Sequence, residues 1–257
     1  MLRDAHFRAK RNHRGRGVRD LERTVGGVVA EIDARLERQA VVRVLELGCG
    51  YGTALLELRA RYGPRIELHG QNRLRNDGDA DILLRNARER NLLGTQSDAV
   101  PLPSIVHGDV ALGVLFPDAS IDVVYSQVAW LYFRNKVGVV RDVMRVLRED
   151  GIAKIDADDV RSGVPSEYAR LVEIWENGAL IPFKDYVRRY GMAFEPAPDG
   201  EYLRFGKLQS FGDELEPVVE VDLAALHAHW DGVKCVYRVR RQPLPPDAPP
   251  GRSDPDT

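Results

Sequence analysis

Short apolar runs alternate with amphipathic stretches between residues 41 and 157. The runs have the length of buried strands, and the stretches between them carry apolar residues at helical spacing. This alternation predicts an α/β fold built on a parallel sheet, with right-handed crossovers through the helices. The predicted strands are residues 41–47, 66–70, 104–107, 121–126 and 152–157, and the predicted helices are residues 53–62, 79–92 and 136–147.

The amino-terminal segment combines a basic arm with a predicted helix. Residues 1–19 carry seven basic side chains and one acidic side chain, a charge run that is typical of a solvated terminus. Over residues 19–39, apolar side chains recur every three or four positions, which predicts one helix. Gly26 and Gly27 lie inside this pattern and each disfavours a helix by about 1 kcal/mol relative to Ala.

The pattern changes after residue 158. We predict a helix near residues 166–180, followed by the aromatic-bearing stretch 183–190. Residues 201–208 and 234–241 have the pattern of strands, and we expect them to pair antiparallel at one edge of the sheet. The predicted organisation is a basic arm (1–19), one domain (20–242) with a small helical insertion at about 160–195, and a proline-rich disordered tail (243–257).

The composition excludes several classes of protein. Of the 257 residues, 44% are hydrophobic and 30% are charged, which is globular rather than disordered usage. Lys and Arg number 37 and Asp and Glu number 39, so no overall charge attracts nucleic acid or anionic lipid. Cys49 and Cys235 are too few for a disulfide framework. Since we find neither a signal-peptide pattern nor an apolar run that could span a bilayer, we expect a cytoplasmic protein without membrane contact.

The stretch with the most chemical information follows the first predicted strand. Glu46 precedes Gly48, Gly50 and Gly52, and a helix is predicted to start at Thr53. Glycines allow a ligand to approach the main chain, and the helix presents unpaired N–H groups. A dinucleotide site has a different glycine spacing, and Glu46 would repel a pyrophosphate. Because a carboxylate attracts an ammonium group, we expect a phosphate-free, zwitterionic adenosine derivative.

With these residues in view, the sequence resembles the class I S-adenosylmethionine-dependent methyltransferases. Three further segments extend the likeness over residues 41–157: Gly108-Asp109, the run FPDASIDVVYSQVAWLYF, and RVLREDG before the fifth strand. The closest group is the broad type-11 set, which acts on small molecules. The resemblance implies a doubly wound, mostly parallel seven-stranded Rossmann-like sheet with an antiparallel edge hairpin, and S-adenosyl-L-methionine as cofactor. It assigns the cofactor to Glu46, Gly48, Cys49, Gly50, Gly52, Asn72, Asp109, Val110 and Ser126.

The sequence departs from the family pattern in two places that affect function. Family members usually end the second strand with an acid that bonds the ribose hydroxyls, whereas this chain has Asn72. An amide lacks the charge assistance of a carboxylate, so we expect weaker cofactor binding. The histidine that many relatives place after the fourth strand is also absent, because the chain has Trp130-Leu131-Tyr132-Phe133 there.

The residues that could remove a proton from the methyl acceptor follow the fourth and fifth predicted strands. They are Tyr132, Asp156 and Asp158, with Asp159 beside them. Each could instead be structural or solvent-facing, and methyl transfer does not always need a base. We expect no metal, because the pair His227 and His229 would point apart on a helix.

Three functions are compatible with these features. We favour methyl transfer from S-adenosylmethionine to a small-molecule acceptor by in-line displacement. The first alternative is an RNA-directed methyltransferase whose basic arm contacts phosphates, which we do not favour because a single short basic arm is weak evidence for phosphate binding. The second is a non-catalytic, methyltransferase-like binding module, which the amide at Asn72 suggests. The identity of the acceptor and the oligomeric state are left open by the sequence.

Overall fold

The computed structural model describes residues 15–75, 78–92, 101–130, 133, 135–157, 173–176, 179–208, 210–222 and 233–239. The helices in these ranges are α1 (Val18–Thr24), α2 (Val28–Leu36), α3 (Thr53–Tyr62), α4 (Ala80–Glu89), α5 (Lys136–Val146) and α6 (Phe183–Arg188). The strands are β1 (Val42–Leu47), β2 (Ile66–Asn72), β3 (Ser104–His107), β4 (Ile121–Ser126), β5 (Leu147–Asp156), β6 (Glu173–Glu176), β7 (Ala179–Pro182), β8 (Ala193–Ala197), β9 (Gly200–Gly206), β10 (Leu215–Asp222) and β11 (Val233–Val239). None of the described helices has both the length and the hydropathy to cross a membrane.

The main sheet has seven strands in the order β3-β2-β1-β4-β5-β9-β8. The first five strands in this order are parallel to one another. β9 runs antiparallel to β5, and β8 runs antiparallel to β9. This confirms the fold class expected from the resemblance, including the antiparallel hairpin at the edge.

β1 is the middle one of the five parallel strands and is buried on both faces. Val42 and Val44 pack into an apolar cluster that also contains residues of α1, α2 and α3. Leu45 and Leu47 pack on the opposite face with residues of α5. Because helices cover both faces, the apolar run in the sequence is nearly continuous, as parallel sheets require.

The strand order changes direction beside β1. The chain proceeds from β1 to β2 and β3 on one side, and then to β4 and β5 on the other. In open α/β sheets ligands bind beyond the carboxyl ends of the strands at such a switch point. The loop that follows β1 lies there.

The single helix predicted over residues 19–39 is wrong, because the chain forms two helices. α1 ends at Thr24 and α2 begins at Val28, and between them Gly26 and Gly27 have φ angles of 60° and 61°. These left-handed values are incompatible with a continuous helix. The break is fixed by Lys154 of β5, whose Nζ donates to the carbonyl oxygens of Gly26 at 2.9 Å and Gly27 at 3.1 Å.

A second sheet with the order β10-β11-β6-β7 corrects two further predictions. The helix near residues 166–180 is wrong in its described part, where β6 and β7 pair antiparallel, and residues 158–172 lie outside the described residues. The expected pairing of 201–208 with 234–241 is also wrong. β9 lies between β5 and β8 because a tight turn joins β8 to β9, whereas β11 pairs with β10 and β6. Residues 1–14 and 243–257 are outside the described ranges, so the domain boundaries stay predictions.

Candidate active site

The loop between β1 and α3 contains three glycines with different surroundings. Gly48, Gly50 and Gly52 have φ angles of 72°, 52° and 65°, which favour glycine over any other residue. A side chain at Gly48 would collide with Ala129, and one at Gly52 would collide with Leu83. A β-carbon at Gly50 would have no atom within 4 Å. The outer glycines therefore allow close packing, and the middle one presents bare main chain to open space.

The end of the basic arm packs beside this loop. A β-carbon at Gly15 would collide with Thr53, the first residue of α3. The main-chain N–H of Val18 donates to Glu57 Oε2 of the same helix at 2.7 Å. Arg16, between these two contacts, is exposed. The described end of the arm thus lies against the helix that the glycine loop begins.

Glu46 is a buried carboxyl group one residue before the end of β1. It is 4% exposed and faces Tyr125 of β4, its partner in the strand register, whose hydroxyl donates to Oε2 at 3.1 Å. Burial raises the pKa of Glu46 to about 8, and the hydrogen bond from Tyr125 opposes this rise. The group is therefore mainly protonated at neutral pH until a positive charge comes near it.

The side chain of Asn72, at the end of β2, connects two loops. It is 2% exposed. Its Oδ1 accepts from the N–H of Gly50 at 2.8 Å, and its Nδ2 donates to the carbonyl oxygens of Gly50 and Gly78, both at 3.0 Å. The amide thus holds the glycine loop to the loop that precedes α4. Its predicted contact with ribose hydroxyls stays a prediction.

Gly78 lies directly against the glycine loop. A β-carbon at this position would collide with the carbonyl oxygen of Gly50. The carbonyl oxygen of Gly78 is also 3.0 Å from Nε2 of His107, the last residue of β3. Side chains at the carboxyl ends of β2 and β3 therefore hold Gly78 in place.

Asp109 and Val110 follow β3 in a loop that Gln71 braces. The Nε2 of Gln71 donates to the carbonyl oxygens of Gly108 and Gly113, and its Oε1 accepts from the N–H of Leu115. Asp109 is half-buried and its Oδ1 accepts from the N–H of Ala111 at 2.9 Å, a turn that fixes the carboxylate. Val110 is buried. Both residues lie at the same edge of the sheet as the glycine loop.

Ser126 and Cys49 have structural surroundings. The buried hydroxyl of Ser126 donates to the carbonyl oxygen of Leu47 at 3.0 Å and so ties β4 to β1. Cys49 is buried, and a β-carbon at Gly70 would collide with its sulfur. A thiol fills this space between β1 and β2 as a small apolar side chain would. Their predicted contacts with a cofactor stay predictions.

Of the predicted catalytic residues, the structure describes Asp156. It is 5% exposed at the end of β5, and its Oδ2 accepts from the N–H of Val128 at 3.2 Å. This bond places Asp156 at the carboxyl ends of β4 and β5, as expected. Tyr132 and Asp158, with Asp159, lie outside the described residues.

Gln127, directly after β4, was not singled out from the sequence. Its side chain is 5% exposed, and neither Oε1 nor Nε2 has a hydrogen-bond partner among the described residues. The next residue, Val128, has a φ of 56°, which is rare for a β-branched residue. In the sequence only the position of Gln127 after a buried strand could have pointed to it.

The sequence comparisons cover the same part of the chain. Residues 45–155 match the family model described as a methyltransferase domain. Over 130 residues, 51% of this chain, the sequence is 28% identical to the glycine/sarcosine/dimethylglycine N-methyltransferase of Actinopolyspora halophila. The match spans 20% of that relative, so this chain corresponds to about a fifth of its length.

Solved structures with a similar fold include two methyltransferases. One is a putative S-adenosyl-L-methionine-dependent methyltransferase from Methanococcus maripaludis, with a TM-score of 0.45 and 15% identity, covering 75% of this chain and 91% of that one. The other is an S-adenosylmethionine-dependent methyltransferase from Aquifex aeolicus, with a TM-score of 0.45 and 12% identity, covering 71% and 91%.

Proposed function

We propose that this chain transfers a methyl group from S-adenosylmethionine to a small-molecule acceptor, because residues 45–155 match the family model of a methyltransferase domain. The observation that carries the proposal is the position of the match. It runs from β1 to β5, the five parallel strands, and includes the loop in which Gly50 presents bare main chain.

The residues at this edge of the sheet are suited to the two ends of the cofactor. The open main chain at Gly50 suits the close approach of a ligand, and the carboxyl group of Glu46 suits an ammonium group. Asp109 offers a carboxylate to the amine of an adenine ring. At the ribose position the amide of Asn72 is already bonded to Gly50 and Gly78, so binding there requires hydroxyl groups to compete with main-chain partners.

Glu46 responds to the charge of the ligand. Its raised pKa of about 8 results from burial without a cation. An ammonium group nearby favours the ionised carboxylate and lowers this pKa. Binding of a zwitterionic ligand therefore releases a proton from Glu46 near neutral pH.

The chain's contribution to methyl transfer is mainly orientation. When bound, S-adenosylmethionine supplies a methyl group on a sulfonium sulfur, and the acceptor's lone pair displaces the sulfur, which keeps the bonding electrons. Fixing two reactants in line contributes up to about 7–11 kcal/mol to such a step. Ala129 and Trp130, which follow β4, are buried and exclude water from this edge of the sheet. Asp156 fixes the main chain just before them by accepting a hydrogen bond from the N–H of Val128.

We further propose that the acceptor is a small amine that carries a carboxylate. Support comes from the name of the Actinopolyspora halophila relative, a glycine/sarcosine/dimethylglycine N-methyltransferase. Glycine and sarcosine are therefore the first acceptors to test. An amine acceptor attacks as the neutral amine, after its ammonium proton has been lost, and the methylated product then releases one further proton to solvent.

The test measures cofactor binding in matched glycine variants. Calorimetry with S-adenosylhomocysteine should show binding by the wild type and none by Gly50→Val, whose side chain fills the open space. Gly191→Val is the control, because Gly191 has a φ of 74°, has equally open space and lies after α6. This control should lose stability to backbone strain but keep its affinity. Equal affinity in Gly50→Val, or no binding by the wild type at millimolar ligand, would refute the proposal.

A further inference from the structure

Gln127 carries a buried amide that no group in the described part of the chain satisfies. Both Oε1 and Nε2 are inaccessible to solvent and unpartnered. Buried polar side chains are nearly always hydrogen-bonded, and each exception needs an explanation. Leaving such a group unsatisfied costs folding free energy, so the sequence tolerates a loss of stability at this position.

Other buried polar side chains in the described ranges are supported. Gln71, with no exposed surface, makes three hydrogen bonds, and Asn72 also makes three. Asp122 has an unbonded Oδ1, but its Oδ2 accepts from the N–H of Arg43, and the guanidinium of Arg148 lies 3.7 Å from that Oδ1. Gln127 differs because its whole amide lacks partners.

The position of Gln127 connects it to the site proposed above. It follows β4, which lies beside β1 in the sheet. The next residue, Val128, has a φ of 56° and is bonded to Asp156. Ala129, one residue further, packs against Gly48 of the glycine loop. A strained backbone and an unsatisfied amide thus adjoin the loop at the switch point, and local rules are most often broken at functional sites.

The amide defines the chemistry of a matching ligand. Its oxygen accepts a hydrogen bond and its nitrogen donates two, so a suitable ligand has both an N–H group and an anionic oxygen. An amine must be unprotonated to attack a methyl group, and a nearby carboxylate would favour the protonated form. A neutral amide binds the N–H group without this effect.

We propose that Gln127 determines acceptor specificity, with Oε1 accepting from the acceptor's amine and Nε2 donating to its carboxylate. This inference rests on the proposed function and adds a residue that contacts the acceptor. The cofactor's own ammonium group has Glu46 as a partner, which leaves the amide of Gln127 for the acceptor.

The test compares the same substitution at two buried glutamines. Gln127→Met keeps the length of the side chain and removes the unsatisfied amide, so the ligand-free protein should melt about 3 °C higher or more. Gln71→Met removes three hydrogen bonds and should melt lower. In the presence of saturating S-adenosylhomocysteine, sarcosine should raise the Tm of the wild type but not that of Gln127→Met. Calorimetry should give the wild type and Gln127→Met the same affinity for S-adenosylhomocysteine within twofold.

Four results would overturn the inference. A lower Tm for ligand-free Gln127→Met would show that the amide has a structural partner. A sarcosine response equal to that of the wild type would show that the amide does not contact the acceptor. A tenfold loss of affinity for S-adenosylhomocysteine would assign the amide to the cofactor. If the wild type binds S-adenosylhomocysteine but its Tm responds to neither sarcosine nor glycine, the acceptor assignment fails while the proposed cofactor stands. If the wild type does not bind S-adenosylhomocysteine at all, the proposed function itself fails.

Discussion

The substitution Asn72→Asp removes two hydrogen bonds and adds a charge where the family has an acid. The amide nitrogen of Asn72 donates to Gly50 and Gly78, both at 3.0 Å, and a carboxylate cannot donate. Each such bond contributes a net of about 0.5–1.5 kcal/mol, so losing both costs about 1–3 kcal/mol. The bond from the N–H of Gly50, at 2.8 Å, becomes charge-assisted and offsets part of this loss. We expect the free energy of unfolding to fall by about 1–2 kcal/mol.

The same substitution should strengthen cofactor binding under the proposed function. It frees Gly78 from one of its two side-chain partners and supplies a carboxylate for the ribose hydroxyls. Charge-assisted hydrogen bonds are roughly twice as strong as neutral ones, and about 1.4 kcal/mol corresponds to a tenfold change in affinity. S-adenosylhomocysteine should therefore bind Asn72→Asp about tenfold more tightly, although that protein is less stable.

Urea denaturation and calorimetry with S-adenosylhomocysteine measure the two effects separately. Asn86→Asp is the matched control, because the Nδ2 of Asn86 donates to the carbonyl oxygen of Tyr51 at 3.0 Å and to Thr53 Oγ1 at 2.8 Å. This control should lose stability without gaining affinity. Unchanged stability of Asn72→Asp would show that the amide does not hold the two loops, and weaker binding would place the ribose elsewhere.

Two further predictions concern buried ionisable groups. Burial raises the pKa of Glu46 from 4.5 to about 8, so its contribution to stability is complete below pH 4.5 and is lost as the pH rises to about 8. The slope is at most about 1.4 kcal/mol per pH unit. Urea denaturation should show a flatter profile for Glu46→Gln, and equal slopes would contradict the pKa shift. Lys154→Met should lower the free energy of unfolding by about 1–3 kcal/mol, because it removes two hydrogen bonds. It should also increase amide hydrogen exchange in α1 and α2. Unchanged exchange in these helices would show that Lys154 does not fix the break between them.

The parallel core could be predicted because its information is local. Each strand from β1 to β5 is a short apolar run, and each intervening helix has its own apolar face. Short-range patterns also indicated where a helix was disfavoured, since Gly26 and Gly27 stand out inside the predicted first helix. The periodicity was nevertheless insufficient there, because the break depends on Lys154, which lies far away in the sequence.

The second sheet could not be predicted in the same way. β6 pairs with β11, which lies far along the chain, and no local spacing encodes this partner. A segment as short as β6, which has four residues, fits a helix or a strand equally well until its neighbours are known. The pairing of β8 with β9 was missed because no strand was predicted at residues 193–197 and because a strand pattern at residues 201–208 does not identify the adjacent strand.

The candidate site, like the fold, could be predicted only in part from the sequence. The spacing of Gly48, Gly50 and Gly52 indicated a bare main-chain surface, since only glycine has this property. The roles of two amides could not be inferred from the sequence. Asn72 is satisfied by Gly50 and Gly78, whereas Gln127 is unsatisfied, and both facts depend on segments brought together by folding.

The sheet order places three polar groups side by side at one edge: Asn72 on β2, Glu46 on β1 and Gln127 after β4. The first is satisfied by main chain, the second is held neutral by burial, and the third lacks partners. An uncharged ligand would leave Glu46 protonated, and an apolar one would leave Gln127 unsatisfied. A cation at the centre would stabilise the ionised form of Glu46, and a hydrogen-bonding group on the β4 side would satisfy the amide of Gln127. In a methyl transfer to an amino acid, the cofactor would supply the cation and the acceptor would supply the hydrogen-bonding group. Each ligand should therefore stabilise the folded chain, and both together should stabilise it more than either alone.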